Sequence, residues 1–442
     1  MIAVVGGGIT GLVLGWELQR RGADFVVLEG APRAGGVIRS ARVDGRVLEW
    51  GPQRTRLTAG LRDLVEALGL EEEALVAPSG LELFVYRRGK LRRVPFSPAA
   101  FLRSDIVGPL AKLRLLLEPL TAGADPDERV ARFFTRKVGR EIYEALVAPL
   151  YGGLYASDPA DMVVGLSLGH VLREFGIRRS LLVPLLRRGG RITPPAPLSF
   201  REGMQTLTDA LGRALGDRLR VATPVRGLTR SASVSRPSGA PGAASASASA
   251  SGSWILELDD VTVEADAVVL TAPARATAAL LDPVAPDAAA SLRRLRYNPL
   301  GVVHLDAETP LTGLGFQVAF TEKEMALRGV TYNHAMFGRH NVYTAYLGGA
   351  RHPEVVHLDD EALGRLAMDE FRLCTGYDSR PLAVEREEMP AWDASWSALE
   401  GFRLPDGLYV AANWMGRPGI PGRLADARRT AERLAGRDVE GR

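Results

Sequence analysis

The chain has 442 residues, of which 46% are hydrophobic and 24% charged, a balance that excludes wholesale disorder and leaves room for two or three domains with sizeable cores. A formal charge of +3 gives no reason to expect a nucleic-acid partner, and no run of about 18 uninterrupted apolar residues offers a membrane-spanning helix. The single Cys374 excludes an internal disulfide or a cysteine metal cluster, and the six histidines show no ligand spacing, so no metal is expected.

Met1 leads directly into an apolar run, so no signal or transit segment is expected before it and the expected location is cytoplasmic. Residues 2–5 read as a β-strand, Gly6-Gly7-Gly8-Ile9-Thr10-Gly11 follows at once, residues 12–21 read as a helix, and residues 25–28 as a second strand closed by Glu29. That order is a dinucleotide-binding unit. Gly6 makes the turn, Gly8 lets main chain approach a pyrophosphate, Gly11 lets helix pack on strand, and the phosphates face the free N–H groups of the helix start. Glu29, about 20 residues beyond the glycines, is placed to accept from a ribose hydroxyl. Because it is an acid, the expected dinucleotide has no 2′-phosphate.

Arg33-Ala34-Gly35-Gly36, then Val37-Ile38-Arg39-Ser40 and Glu49-Trp50-Gly51-Pro52, resembles the second glycine signature of the FAD-dependent amine oxidase and protoporphyrinogen oxidase superfamily. The resemblance implies FAD, with Arg33 and Gly36 on its diphosphate and ribityl part and Gly51 and Pro52 bringing main chain toward the isoalloxazine ring. Residues 58–68 then have helical spacing, and residues 81–86 and 91–94 read as a hairpin. From 101 to 186 the signals are almost wholly helical, which suggests a helical insertion. Residues 86–200 hold nineteen Lys or Arg against ten Asp or Glu. Solvated helix faces explain such an excess; the functional readings are attraction of a polycarboxylate substrate or peripheral contact with an anionic membrane face. Arg87 and Arg88 on the hairpin turn are candidate cations for the former, as are Arg178 and Arg179 in the insertion.

Gly152-Gly153-Leu154-Tyr155-Ala156-Ser157-Asp158-Pro159 reads from its residues as a glycine turn. It is similar to the Gly-Ile-Tyr-Ala-Gly-Asp segment of protoporphyrinogen oxidases, where main chain and an aromatic lie near flavin and tetrapyrrole, and this makes Gly153 and Tyr155 substrate-pocket candidates. Gly165-Leu166-Ser167-Leu168-Gly169 spells a serine-hydrolase elbow, but it lies in a helical-looking stretch, residues 162–175, without the strand an elbow needs.

Phe200-Arg201-Glu202-Gly203-Met204 opens a helix at 206–215, and residues 218–227 read as a strand. In the resembled flavoproteins these return the chain to the FAD domain with a valine backbone on adenine, which points to Val225. Residues 231–253 are a Ser/Ala/Gly/Pro tract, expected to be a disordered insertion at a hairpin tip. Ala265 to Pro273 is similar to the closing strand of that domain. Strands at 301–305, 315–320, 330–333 and 343–347 follow, and Leu347-Gly348-Gly349-Ala350-Arg351-His352-Pro353 resembles a segment of bacterial protoporphyrinogen oxidases. A helix-like run at 363–373 makes Cys374 a buried small hydrophobe. Residues 407–414, a strand ending Asn413-Trp414, run into Gly416-Arg417-Pro418-Gly419-Ile420-Pro421-Gly422 and a helix at 424–434. This looks like the third FAD signature, in which a helix N-terminus favours the negative charge of reduced flavin; Asn413, Gly419, Ile420 and Pro421 are its candidates.

The expected architecture is α/β: a Rossmann-type FAD-binding domain (1–56, 199–295 and 389–436), a mixed-sheet substrate domain (57–95 and 296–388) and a helical insertion (96–198). The resemblance implies oxidation of protoporphyrinogen or coproporphyrinogen in haem biosynthesis. By that resemblance a hydride would pass from a meso carbon to flavin N5, N–H protons would go to solvent, and oxygen or another acceptor would reoxidise the flavin. The flavin carries that chemistry, so no catalytic side chain is named. Two substrate-side features differ from the family pattern. Leu81-Glu82-Leu83 stands where relatives carry a basic residue before the hairpin strand, and residues 389–403 lack a Pro-Gln-Tyr followed by Gly-His. The alternatives are an amine oxidase or carotenoid desaturase, a serine hydrolase, and a flavin-binding protein without turnover. An amine oxidase wants an aromatic cage at the flavin, which Trp414 alone does not make.

Overall fold

The computed structural model describes residues 1–187, 195–231, 252–416 and 419–440. Strand β1 (Ile2–Val5), helix α1 (Ile9–Arg20) and strand β2 (Phe25–Leu28) form in the order read from the sequence. Both strands are buried along their whole length, as unbroken apolar runs in a parallel sheet must be. That sheet has five parallel strands in the order Leu219–Arg220, β2, β1, Ala267–Leu270 and Leu408–Val410. Helix α1 packs on one face with Gln205–Leu215 and Ile420–Glu440, around Leu12, Leu18, Leu211 and Leu424. The other face is covered by Ala274–Leu281 and an antiparallel sheet of Gly227–Arg230, Trp254–Glu257 and Thr262–Ala265. Parallel strands put all their carboxyl ends on one edge, where an open α/β sheet binds its ligand.

The second sheet has seven strands, ordered Arg380–Pro390, Tyr297–Asp306, Val342–Gly348, Leu327–Tyr332, Gly315–Val318, Leu83–Arg87 and Lys90–Arg93. Neighbours are antiparallel except Gly315–Val318 and Leu83–Arg87. Helix Asp360–Thr375 covers one face around Val303, Val330, Ala345 and Phe371; Asp359 caps its start and Gly376, at φ +81, ends it. Cys374 is buried there, and burial raises its thiol pKa. Strand alternation therefore turns Val302, His304, Gln317, Thr331, Thr344 and Tyr346 to the opposite face.

The insertion is built of short helices, among them Pro98–Arg103, Pro109–Leu115, Val130–Val138, Ala148–Gly152 and Leu182–Arg187. A fully buried ion pair, Lys137 to Glu118 at 3.0 Å, ties them together. Glu118 also accepts from the Leu181 N–H at 2.9 Å and from Ser180, and Lys137 donates to Thr121 Oγ1 and the Arg179 carbonyl. With these partners both charges are matched, so removing either would strand the other.

Local details differ from the sequence expectations. The strand expected at 218–227 stops at Arg220, because Ala222 turns at φ +48 and Pro224 has no N–H for a ladder. The helix expected at 162–175 starts only at Val164, because Val163 is extended and bridges to Arg129, and it is broken at Leu168 into Val164–Ser167 and Gly169–Glu174. The tract 231–253 is framed by a hairpin, with Arg230 opposite Trp254 and the Ser231 N–H donating to Ser253 O at 2.8 Å. Its residues 232–251 lie outside the described residues, as do 417 and 418 of the C-terminal signature.

Candidate active site

At the carboxyl edge of the parallel sheet the first glycine loop has the geometry its spacing requires. Gly6 lies at φ +111, and a Cβ there would meet Thr271 Oγ1 at 2.7 Å. A Cβ on Gly11 would stand 1.9 Å from the Gly6 carbonyl, so helix and turn touch main chain to main chain. Gly8 is the opposite case: a Cβ there would meet nothing within 4 Å. The loop thus faces open space at the point where a pyrophosphate would approach, and α1 starts without a side-chain cap, leaving its first N–H groups to an anion. Thr271 pins the turn by donating to the Gly6 and Val5 carbonyls at 2.8 and 3.0 Å.

Glu29 stands at the mouth of this loop. Its carboxylate accepts from the Gly7 N–H at 2.6 Å and the Ala31 N–H at 2.8 Å, and its remaining lone pairs can receive ribose hydroxyls. The segment after Arg220 lies alongside, with the Ala222 and Thr223 N–H groups on the Ala31 and Glu29 carbonyls, which brings half-buried Val225 to the same end. The second glycine loop docks on the first: the Gly35 N–H donates to Gly7 O at 2.7 Å, and a Cβ on Gly36 would come within 3.3 Å of Gly8 Cα. Arg33 holds that loop's shape by donating to the carbonyls of Ala34, Gly36 and Ile38. The third signature reaches the same edge, since the Ala411 N–H donates to Leu270 O and Gly419, at φ +80, leads into the N-terminus of Ile420–Glu440 at Ile420 and Pro421. Asn413 is exposed there, whereas Trp414 is fully buried with its indole N–H on Ala272 O, so it lines no aromatic cage.

From this edge the chain passes to the polar face of the seven-stranded sheet. Gly51 is hemmed by main chain, a Cβ there falling 2.0 Å from Val37 O. Buried Glu49 joins the parts: it accepts from Ser40, from the Met204 N–H at 2.9 Å and from Arg339 at 2.8 Å, and Arg339 also reaches Ser199. Trp50 packs edge-on against His304, and Gln53, just after Pro52, accepts from Asn333 and Thr344 at 2.9 Å each. Burial drives the His304 pKa down to about 4, which keeps the ring neutral.

The insertion meets that same face. A Cβ on Gly153 would lie 2.5 Å from Gln317 Oε1; Tyr155 is buried against Tyr151; Ala156 packs with Leu300 and Val302 beside Tyr346 and Met389. The Ala350 N–H donates to Ala156 O at 2.8 Å, so the two sequence segments similar to protoporphyrinogen oxidases are in contact. The candidate cleft is the region where this sheet face, at Gln317, Thr344 and Tyr346, meets Gln53, Arg54 and the Gly153–Tyr155 turn. Glu387 belongs to the same sheet face, opposite Leu300, and burial beside Glu385 lifts its pKa to about 7. Arg87 and Arg88 stand elsewhere: Arg87 is buried against Glu141 and the Ile106 carbonyl, and both line a basic surface cavity of about 360 Å³ with Arg92 and Lys112. Ser167 sits in a helix with its hydroxyl donating to Val163 O at 2.8 Å, not at a strand-to-helix elbow. Among the described residues no cluster of His, Cys, Asp or Glu could hold a metal ion.

Residues 9–435 match the family model of flavin-containing amine oxidoreductases. The chain belongs to that family. It is 25% identical to protoporphyrinogen oxidase 2, chloroplastic/mitochondrial, of Arabidopsis thaliana, over 98% of this chain and 93% of the relative. With the protoporphyrinogen oxidase of Bos taurus the identity is 30%, over 76% of this chain and 73% of the relative. A crystal structure from Exiguobacterium sp. 255-15, assigned as a protoporphyrinogen oxidase, superposes with a TM-score of 0.75 at 22% identity, covering 98% of each chain. This flavin-containing amine oxidoreductase is accordingly an FAD-dependent oxidoreductase, and the open face of Gly8 and the uncapped start of α1 fit the cofactor.

Arg54 and Glu387 are not among the residues singled out from sequence. Arg54 stands two residues beyond Pro52 of the second signature, so its position was a signal; Glu387 lies in the alternating run Glu385-Arg386-Glu387, whose inward side only sheet packing reveals.

Proposed function

We propose that this flavoprotein oxidises a porphyrinogen, protoporphyrinogen or coproporphyrinogen, to the porphyrin. The observation that carries the reading is that the Gly153–Tyr155 turn meets the sheet face at Gln317, with Tyr155 within electrostatic reach of Arg56 beyond the second glycine signature. The cleft lining of tyrosines, aliphatic side chains and Arg54 suits a flat apolar macrocycle with carboxylates at its rim. Bound FAD supplies a two-electron oxidation, and three rounds remove the six hydrogens that separate porphyrinogen from porphyrin, with oxygen or another acceptor taking up the electrons. The chain's own part is to hold the macrocycle between sheet face and flavin, to exclude water, and to keep His304 neutral beneath Trp50.

The test is porphyrin fluorescence growing from anaerobically prepared protoporphyrinogen and coproporphyrinogen, with flavin bleaching followed in parallel and simple amines as controls. Bleaching by a porphyrinogen and not by amines supports the reading. Bleaching by amines alone would overturn it.

A membrane-facing role for the insertion has its own support. Leu102, Leu110, Leu113, Leu116, Leu117 and Leu120 are each more than half exposed, and most follow helical spacing on or just after Pro109–Leu115. Exposed Arg103, Arg132 and Arg140 lie on the same insertion. Together they fit an anionic bilayer surface, which would let an apolar tetrapyrrole enter without crossing water.

A further inference from the structure

Among the described residues, three of the four buried arginines are paired with a carboxylate. Arg339 is paired with Glu49, Arg423 with Asp426 and Arg87 with Glu141. Arg328, which has no carboxylate in contact, donates to the Met325 and Ala326 carbonyls. Arg54 differs from all of these. Its NH1 donates to Met336 Sδ at 3.2 Å, a weak acceptor, and among the described residues no carboxylate pairs with it. It is half-buried just beyond the glycine signature, where desolvation and the neighbouring Arg56 hold its pKa below the ordinary value. A guanidinium nevertheless stays charged at neutral pH.

The groups around it are those an anion would need. Arg54 lies within electrostatic reach of the Tyr346 hydroxyl, and both side chains keep some contact with solvent. Arg56, exposed on the adjoining strand Thr55–Arg56, acts on both Arg54 and Tyr155. Two cations that repel one another thus lie beside two phenols, Arg54 by Tyr346 and Arg56 by Tyr155, and the acid that also acts on Tyr346, Glu49, is itself paired with Arg339. A desolvated, unmatched charge is costly alone and binds a counter-charge strongly when one arrives.

We propose that Arg54, with Arg56 nearer the mouth, receives a carboxylate of the substrate against the Tyr346 hydroxyl. The inference rests on the porphyrinogen reading and deepens it. A planar guanidinium can hold a carboxylate through two parallel hydrogen bonds, which fixes the macrocycle's rotation as well as its affinity.

The experiment compares the parent holoenzyme with Arg54→Gln and Arg54→Lys, using protoporphyrin IX and its dimethyl ester as probes. Binding is read from porphyrin fluorescence and from the shift of the flavin band; flavin content and midpoint potential are measured on the same samples. The parent should bind the free acid more tightly than the ester. Arg54→Gln should weaken the acid about 10- to 100-fold and leave the ester within about 2-fold, with Arg54→Lys between. An unchanged acid-to-ester ratio in Arg54→Gln would overturn the proposal, and a shifted flavin potential with that ratio unchanged would assign the guanidinium to the flavin. If Arg54→Gln loses flavin or folds poorly, the ratio in Arg54→Lys decides by the same rule. A parent that oxidises porphyrinogen while the ratio stays constant strikes this inference alone. A parent that neither binds porphyrin nor oxidises porphyrinogen removes the functional reading and this inference with it.

Discussion

Gly8→Ala and Gly11→Ala add the same methyl group three residues apart, and the structure expects opposite consequences. Gly8 lies at φ −69 and ψ 176, a conformation alanine adopts freely, and its Cβ would meet nothing within 4 Å. The apoprotein should therefore be as stable as the parent, or more stable by about 0.4–1 kcal/mol, because alanine narrows the unfolded ensemble. FAD should bind less well, since the methyl takes space into which the diphosphate comes. Displacing a packed contact by one methyl costs about 1–3 kcal/mol, or about 5- to 150-fold in Kd. At Gly11 the methyl lies 1.9 Å from the Gly6 carbonyl and 3.0 Å from Thr271 Oγ1, so α1 must lift off β1. Leu12, Val13, Leu14 and Leu18 would lose packing with it, and the apoprotein itself should lose at least about 1–3 kcal/mol. The assay is thermal unfolding of the two apoproteins beside flavin titration by fluorescence quenching. If Gly8→Ala retains the parent's FAD affinity, the diphosphate does not pass at Gly8 and the placement of the cofactor is wrong.

Glu29→Ala should lower both apoprotein stability and FAD retention, because the Gly7 and Ala31 N–H groups lose their acceptor along with the ribose; equal flavin content after dialysis would refute it. His304 binds its proton only below about pH 4 in the folded chain but near its ordinary value of 6.5 when unfolded. Between those values the unfolded state holds more protons, so stability is lost as pH falls, by up to about 3 kcal/mol, and His304→Asn should show a flatter decline from pH 7 to pH 5 in urea unfolding. Glu387 has the opposite sign: its pKa is raised from 4.5 to about 7, so the folded state holds the extra proton and stability is lost as pH rises through 7. Glu387→Gln should recover about 1–2 kcal/mol at pH 8 and nothing at pH 4. For the exposed leucines, Leu113→Glu with Leu116→Glu should abolish co-sedimentation with phosphatidylglycerol vesicles at unchanged Tm; a parent that does not sediment refutes the membrane face.

What the sequence by itself determined was whatever depends on neighbours along the chain. Gly6 is required by a turn and Gly11 by a close contact within a few residues, and Gly8 leaves open space between them, so their spacing announced both the fold unit and the kind of ligand. The same holds for helix Asp360–Thr375, whose apolar spacing and terminal Gly376 are local signals. Glu29 was identified for its distance from the glycines, although its hold on the Gly7 N–H, which stabilises the empty loop, appeared only in three dimensions. Helical periodicity in the insertion was legible, but where a helix begins was decided by packing: Val163, just before Val164–Ser167, is extended because it pairs with Arg129, not because of its neighbours. The cleft is where local reasoning stopped. Alternation shows that Thr344 and Tyr346 share a face, yet it cannot say which face meets solvent, a helix or a ligand. That choice was made when Asp360–Thr375 took one side of the seven-stranded sheet and left the other to Gln53, Arg54 and the Gly153–Tyr155 turn. The charge excess of residues 86–200 pointed to cations in the insertion, but Arg87 is neutralised by Glu141 while Arg54, outside that excess, has no carboxylate in contact. Whether a charge is free to act depends on which residues fold against it, and those come from parts of the chain far apart in sequence.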